Sequence, residues 1–219
     1  MYRYFIKTPW IAKFFFANYL WNIKTKEKEI YLTFDDGPHP DVTPWVLEQL
    51  KNYQAKATFF CVGNNVEKYP DLYRQLVAEG HTTGNHTFHH LNGWKVSSNL
   101  YMEDIRRAAD LIHSNLFRPP YGKIKLNQEK KLAAALRHPH PKIIMWDVLS
   151  ADFDVTISKE KCLENVLLNY GPGSIIVFHD SEKAYPHLKY VLPNVLEHLR
   201  QEGYICRSIE CITKEPVNN

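Results

Sequence analysis

TFDDGPHP, residues 33–40, sets two aspartates side by side at the end of an apolar run, EIYLTF (residues 29–34), and then breaks the chain with Gly37, Pro38 and Pro40. Asp, Gly and Pro build turns, which accounts for Asp36-Gly37. Asp35 is left over, because like charges that crowd one another need a compensating cation or open water. The stretch therefore reads as a strand that ends on chemistry, and the rest of the chain can be searched for the same signature.

Six further apolar runs qualify as strands: ATFFCV (57–62), HTTGNH (81–86), LFR (116–118), KIIMWD (142–147), SIIVFH (174–179) and YICRSI (204–209). Amphipathic stretches lie between them near residues 43–53, 66–79, 98–114, 127–137, 158–169 and 187–202. Thr43-Pro44 is a favourable cap and first-turn pair for the first of these helices. Seven strands alternating with six helices imply a parallel sheet, either open and doubly wound or closed as a barrel. In both arrangements ligands sit at the carboxyl ends of the strands.

Residues with chemistry do gather there. Asp35-Asp36 follows the first run, and His86-Thr87-Phe88-His89-His90 follows the third. His86 and His90 are four apart, a spacing that on a helical turn lets two imidazoles share one ion. With a carboxylate from a neighbouring strand end they would leave coordination positions open for water and substrate, as catalytic sites do. Arg118-Pro119-Pro120-Tyr121-Gly122 stiffens the next loop, and Tyr121 carries its first free N–H. MWDVLSADFD (145–154) brings Asp147, Asp152 and Asp154, each of which could also be a cap or a solvated charge, and His179-Asp180 closes the most apolar strand.

As an ordered set, TFDDGP, H-T-x-x-H, R-P-P-Y-G, the D-F after a tryptophan-containing run, and V-F-H-D resemble the five motifs of the polysaccharide deacetylases, carbohydrate esterase family four, also called the NodB-homology domain. The likeness runs from Tyr31 to Ser181, and the regular elements extend it to Ile209. It implies an α/β fold, a distorted (β/α) barrel of about seven parallel strands, and removal of acetyl groups from N-acetylated sugars such as peptidoglycan or chitin-like oligomers. It also implies one divalent metal, zinc first with cobalt, nickel or manganese as alternatives, held by Asp36, His86 and His90. Asp35 would then be the base, held by Arg118, and His179 the acid, oriented by Asp152. The Tyr121 N–H would donate to the oxyanion, with Pro120, Tyr121, Phe153 and Val177 against the substrate.

Three positions in two motifs depart from the family pattern. Leu149 stands where an acid is common and Phe153 where an indole is common, which keeps an apolar wall but removes a donor. Val177 replaces a common leucine and is expected under the acetyl methyl. Three other readings use parts of the same residues: an O-acetyl esterase, an Fe(II) oxygenase built on two His and one carboxylate, and an inactive sugar-binding module.

Composition sets the frame. The chain has 219 residues, 44% hydrophobic and 23% charged, which suits one globular unit. A net charge of only +3, spread along the chain, argues against nucleic acid as a partner. Cys61, Cys162, Cys206 and Cys211 lack C-x-x-C spacing and read as reduced thiols. Residues 1–28 are set apart from a catalytic domain at 29–219. YFIKTPWIAKFFFANYLW (4–21) is strongly aromatic but interrupted by Lys7, Pro9 and Lys13, and no cleavage site follows it. It is expected either as a helix packed on the domain or as an interfacial helix touching a membrane surface. A monomer in the cytoplasm or at a membrane is the corresponding expectation.

Overall fold

A computed structural model describes residues 4–210; Cys211 and the remainder of both chain ends lie outside the described residues. In chain order the elements are α1 (Trp10–Phe15), β1 (Glu29–Asp35), α2 (Val42–Asn52), β2 (Ala57–Cys61), α3 (Gly63–Lys68), α4 (Pro70–Ala78) and β3 (Thr82–Asn85). There follow α5 (Ser98–Ala109), β4 (Leu116–Phe117), a 3₁₀ turn (Pro120–Gly122), α6 (Leu126–Glu129), α7 (Leu132–Leu136) and β5 (Lys142–Ile143). The last are β6 (Val148–Leu149), α8 (Lys159–Leu167), β7 (Ile175–His179), α9 (Tyr185–Gln201) and β8 (Ile205–Cys206).

The strands pair in the order β5-β4-β3-β2-β1-β7-β6, every pairing parallel, and β8 pairs with the start of β1. The two ends of this order, β5 and β6, belong to one stretch of chain, residues 142–149. The sheet therefore curls round on itself, and the distorted barrel expected from the sequence is what forms. KIIMWD is not one strand, however. After Ile144, whose N–H still bonds to Phe117 O, the chain leaves β4, and Asp147 N–H already bonds to Ile175 O of β7.

Strands buried on both faces read as continuous apolar runs, as β1, β2 and β7 do. Side chains alternate across each strand. Phe34, Phe59 and Phe178 stack on the outer face against the helices, with ring centroids 5.0 and 5.8 Å apart. Tyr31, Phe60, Leu116, Ile144, Ile175 and Ile209 plug the interior. Above that plug on the inner face of β1 and β7 come Thr33 and Val177, paired in register, and then Asp35 and His179, also paired. The apolar alternation thus delivers the acid and the imidazole to the open mouth of the barrel.

Three helices differ from expectation for local reasons. Pro70 divides residues 63–78 into α3 and α4, since proline suits a first turn and not an interior. The stretch near 127–137 is likewise two short helices, α6 and α7. Helix α2 begins at Val42, so Thr43 lies inside it and spends its hydroxyl on the Asp180 carboxyl, 2.5 Å away.

Residues 4–23 form only one short helix, α1, and otherwise run beside the seam of the barrel. Thr8 N–H bonds to Asp147 O, Leu149 N–H to Ile6 O, Leu20 N–H to Ile143 O, and Met145 N–H to Leu20 O. Lys7 and Lys13 both place their ammonium 2.6 Å from Asp147, which also accepts from Ser174. Further on, Ile23 N–H bonds to Gly173 O, and a Cβ at Gly173, whose φ is +77°, would lie 1.8 Å from Ile23 O. The segment covers the edges that β5 and β6 would otherwise leave unpaired.

Candidate active site

Every cluster singled out in the sequence lies at the carboxyl end of a strand or in the loop just after it. Asp35 ends β1, His86 follows β3, Arg118 follows β4, Asp152 follows β6 and His179 ends β7.

Arg118 is the hub. Its guanidinium is fully buried and donates to Asp35 Oδ1 at 2.6 Å, Thr33 Oγ1 at 2.8 Å, Met145 O at 2.9 Å and Ile144 O at 3.2 Å. It also lies 4.1 Å from the centroid of the Phe60 ring. Burial alone would raise the Asp35 pKa, but Arg118, His86 and His179 together hold it below the usual carboxylate value. Asp35 is therefore ionised at neutral pH, with one oxygen tied to Arg118 and Oδ2 turned towards His86, 4.0 Å from Nε2.

The Arg118 backbone serves the neighbouring group. Its carbonyl lies 2.7 Å from His86 Nδ1, which fixes the proton there and leaves Nε2 as the electron-pair donor. Burial lowers the His86 pKa to about 4, so the ring is neutral and ready to ligate. Asp36 Oδ1 lies 3.8 Å from His86 Nε2 and 3.2 Å from His90 Nε2, and the three ligand atoms lie within 4.8 Å of one another. Asp36 Oδ1 is buried and has no hydrogen-bond partner. A buried carboxylate oxygen left bare beside two imidazole nitrogens is a donor set that suits a divalent cation.

His86 and His90 do not converge on a helical turn. Residues 86–90 form a bent loop in which Thr87 (φ 64°) and His90 (φ 55°) are left-handed. Asp36 (φ 81°), Tyr121 (φ 60°) and Ala151 (φ 61°) share that conformation, so the backbone strain of the described chain is concentrated at this site. The loop is held by groups that the motifs do not contain. Asp104, buried on α5, accepts from Phe88 N–H and His89 N–H at 2.9 Å and pairs with His89 Nδ1 at 2.5 Å. An acid on the apolar stripe shared with Tyr101, Ile105 and Ala108 is the one signal of it in the sequence. Asn85 Oδ1 accepts from Thr87 N–H, and Asn65 donates to Asp36 O.

Asp180 clamps the aspartate turn. It accepts from Gly37 N–H at 3.0 Å, and its own N–H donates to Asp35 O. A Cβ on Gly37 would lie 2.0 Å from Asp180 Oδ2, so the close approach needs glycine. Burial, with the Asp36 charge nearby, pushes Asp180 up to about 8.

On the opposite side His179 Nδ1 lies 2.7 Å from Asp152 Oδ1, and Asp152 Oδ2 accepts from His179 N–H. Burial would lower the His179 pKa, but Asp152, with smaller contributions from Asp36 and Asp35, overcomes it and holds the ring up at about 9. Phe153 packs edge-on against His179 with centroids 5.1 Å apart, and Tyr4 packs against Phe153 at 5.6 Å. Tyr121 sits against His90 at 4.7 Å, in a turn closed by Gly122 N–H to Pro119 O and Lys123 N–H to Pro120 O. Pro120 is buried beneath it. Val177 is buried one layer below His179. The other two acids of the fourth cluster serve the N-terminal segment: Asp147 takes Lys7 and Lys13, and Asp154 takes the Tyr4 hydroxyl at 2.5 Å.

Comparison with known proteins identifies the family. The profile of the family described as polysaccharide deacetylase matches residues 22–139. A peptidoglycan-N-acetylglucosamine deacetylase of Bacillus cereus is 35% identical over 203 residues, 89% of this chain and 70% of the relative. A chitooligosaccharide deacetylase of Azorhizobium caulinodans is 37% identical over 171 residues, 72% of this chain and 76% of the relative. The solved structure of the Bc1960 peptidoglycan N-acetylglucosamine deacetylase, in complex with 4-naphthalen-1-yl-N-oxidanyl-benzamide, superposes with a TM-score of 0.80 at 31% identity, covering 92% of this chain and 95% of that one.

Proposed function

The chain belongs to the polysaccharide deacetylase family and is a carbohydrate deacetylase, and we propose that it hydrolyses N-acetyl groups of N-acetylglucosamine-containing glycans, peptidoglycan or chitin-like, at the Asp35–Asp36–His86–His90–His179 site. The observation that carries this reading is the division of labour between the two adjacent aspartates. Asp35 is bound to Arg118, whereas Asp36 Oδ1 is bare beside two imidazoles. Relatives named for deacetylation of peptidoglycan and chitooligosaccharide support the substrate class.

Asp36, His86 and His90 would hold the cation; two imidazoles and a carboxylate suit zinc, with cobalt, nickel and manganese as close competitors. Bound there, a divalent ion supplies Lewis-acid polarisation and activation of water near neutral pH.

The remaining steps belong to the chain. Asp35, kept ionised by Arg118, takes a proton from the water that attacks the acetyl carbonyl. The oxyanion that develops needs a preorganised donor, and the Tyr121 backbone N–H, in its strained turn beside His90, supplies one. Collapse of the tetrahedral species breaks the C–N bond, and the sugar nitrogen leaves as an amine only if protonated. His179 gives that proton from Nε2, while Asp152 on Nδ1 stabilises the imidazolium. Phe153 walls the acid off from water, and Val177 closes the floor beneath it.

His90→Ala is expected to weaken zinc binding by well over the ~10–100-fold that loss of an outer-shell partner costs, read by calorimetry on stripped protein; unchanged affinity would remove His90 from the ligand set. The alkaline limb of kcat should report His179, which is competent as an acid only while protonated. Activity is then present below about 9 and lost as pH rises through it. A cation on Asp36 cancels part of the charge that raises this pKa, so the limb lies no higher than that. It should move to lower pH in Asp152→Asn, and a limb that stays in place would exclude the pair.

Acetate release from N-acetylglucosamine oligomers and from O-acetylated xylan, run side by side, tests the reaction class. Release from the amide substrate is expected, and release from the xylan alone would make the enzyme an esterase.

A further inference from the structure

We propose that α1 and the surface beside it dock the enzyme on an anionic phospholipid bilayer, lying on the membrane and not crossing it. Helix α1 buries none of its six residues. Phe5, Trp10, Ile11, Phe14, Phe15 and Phe16 are between 45% and 76% exposed, and Leu126 on α6 is 69% exposed. Ile11, Phe15, Tyr19 and Leu126 line one shared groove between α1 and α6. Scattered exposed apolar residues need no explanation, but a contiguous group of this size marks an interaction surface.

The display is rigid. The backbone on either side of α1 is bonded to the barrel seam at Thr8 and Leu20, Lys13 is tied to Asp147, and Trp21 Nε1 donates to Phe16 O. Phe16 stacks on Tyr19, whose hydroxyl donates to Glu129. The backbone that carries the exposed aromatic side chains is therefore held against the barrel.

Charge and shape select a bilayer as the occupant. Residues 4–26 contain Lys7, Lys13, Lys24 and Lys26 and no acid. Two of these lysines share the single Asp147 carboxylate, so the segment stays net positive. Exposed Lys130 and Lys131 follow directly on α6. Exposed Trp and Phe on a short helix, within a segment whose only charged side chains are lysines, suit the headgroup boundary of an anionic leaflet, which deforms around the side chains. Among the described residues no helix is long and apolar enough to span a membrane.

The surface is also close to the reaction centre. Leu126 follows Tyr121 by five residues, a chain reach of at most about 18 Å. Resting on the deacetylase reading, docking would bring the enzyme to glycans presented at a membrane surface.

Co-sedimentation with phosphatidylcholine vesicles, with and without phosphatidylglycerol, tests this. The protein should bind the anionic vesicles, less so as salt rises, and Trp10→Ser/Phe14→Ser/Phe15→Ser should weaken binding about tenfold or more. Acetate release from soluble oligomers should be unchanged in the variant, which alters only exposed side chains. In the native sequence, brominated lipid should quench tryptophan fluorescence, and Trp10→Phe should reduce that quenching. The proposal is overturned if the native protein stays in the supernatant with both vesicles, if the triple variant binds equally well, or if light scattering shows a dimer that the variant abolishes. Vesicle binding does not require turnover, so its failure and the failure of the deacetylase reading are separate results.

Discussion

Asp35→Asn is expected to lower kcat by about 10²- to 10⁴-fold, the span that a positioned acid or base contributes, while the protein still binds one equivalent of zinc. Asp35 and Asp36 are neighbours in sequence but differ in environment. Asp36 Oδ1 has no hydrogen-bond partner, whereas Asp35 is fixed by Arg118 at 2.6 Å. Asparagine keeps the shape and can still accept from Arg118, but it cannot take a proton from water. A single-turnover measurement of acetate release, with zinc content measured on the same sample, separates chemistry from metal loss. Substantial turnover in Asp35→Asn would remove it as the base, and loss of zinc would make it a ligand.

The largest effect on stability is expected from Arg118→Met. Arg118 is fully buried, and its guanidinium is the only cation that pairs with Asp35 among the described residues. Removing one partner of a buried pair leaves the other charge uncompensated, at a cost of about 3–5 kcal/mol. The main-chain acceptors at Ile144 and Met145 lose their donor as well. A urea melt of apo protein reads the loss. Combining Arg118→Met with Asp35→Leu should restore much of it, because the stranded carboxylate is then gone. If the double variant is no more stable than Arg118→Met alone, the penalty lies in the lost main-chain bonds and not in the charge.

The site is more legible in the sequence than the frame around it. Asp35-Asp36, His86, Arg118, Asp152 and His179 can be found because each follows an apolar run, and a parallel sheet brings the ends of such runs together. Their convergence cannot be read, because it depends on left-handed backbone at Asp36, Thr87, His90, Tyr121 and Ala151. None of these is glycine, and only Asp36 and His90 are of residue types enriched in that region, so local propensity gives little hint of it. A helical turn is the natural reading of the His86 and His90 spacing, and a strained loop clamped by Asp104 brings them together instead. The double use of Arg118, side chain for Asp35 and carbonyl for His86, is a tertiary fact with no local signature.

The division of KIIMWD has a similar cause. An apolar run shows that a segment is buried, but not which neighbour it pairs with. Residues 142–149 leave β4 for β7 within a few residues, and the N-terminal segment fills the seam. Lys7 and Lys13, which in the sequence interrupt an aromatic stretch, are what bind that segment to Asp147.

The most direct test of a metal-dependent hydrolase is to strip the protein of metal and titrate zinc back while following acetate release from N-acetylglucosamine oligomers. Turnover should be absent from the stripped protein and return in full at one equivalent per chain, without oxygen or reductant. Undiminished turnover in the stripped protein, or recovery that requires iron and oxygen, would contradict the assignment.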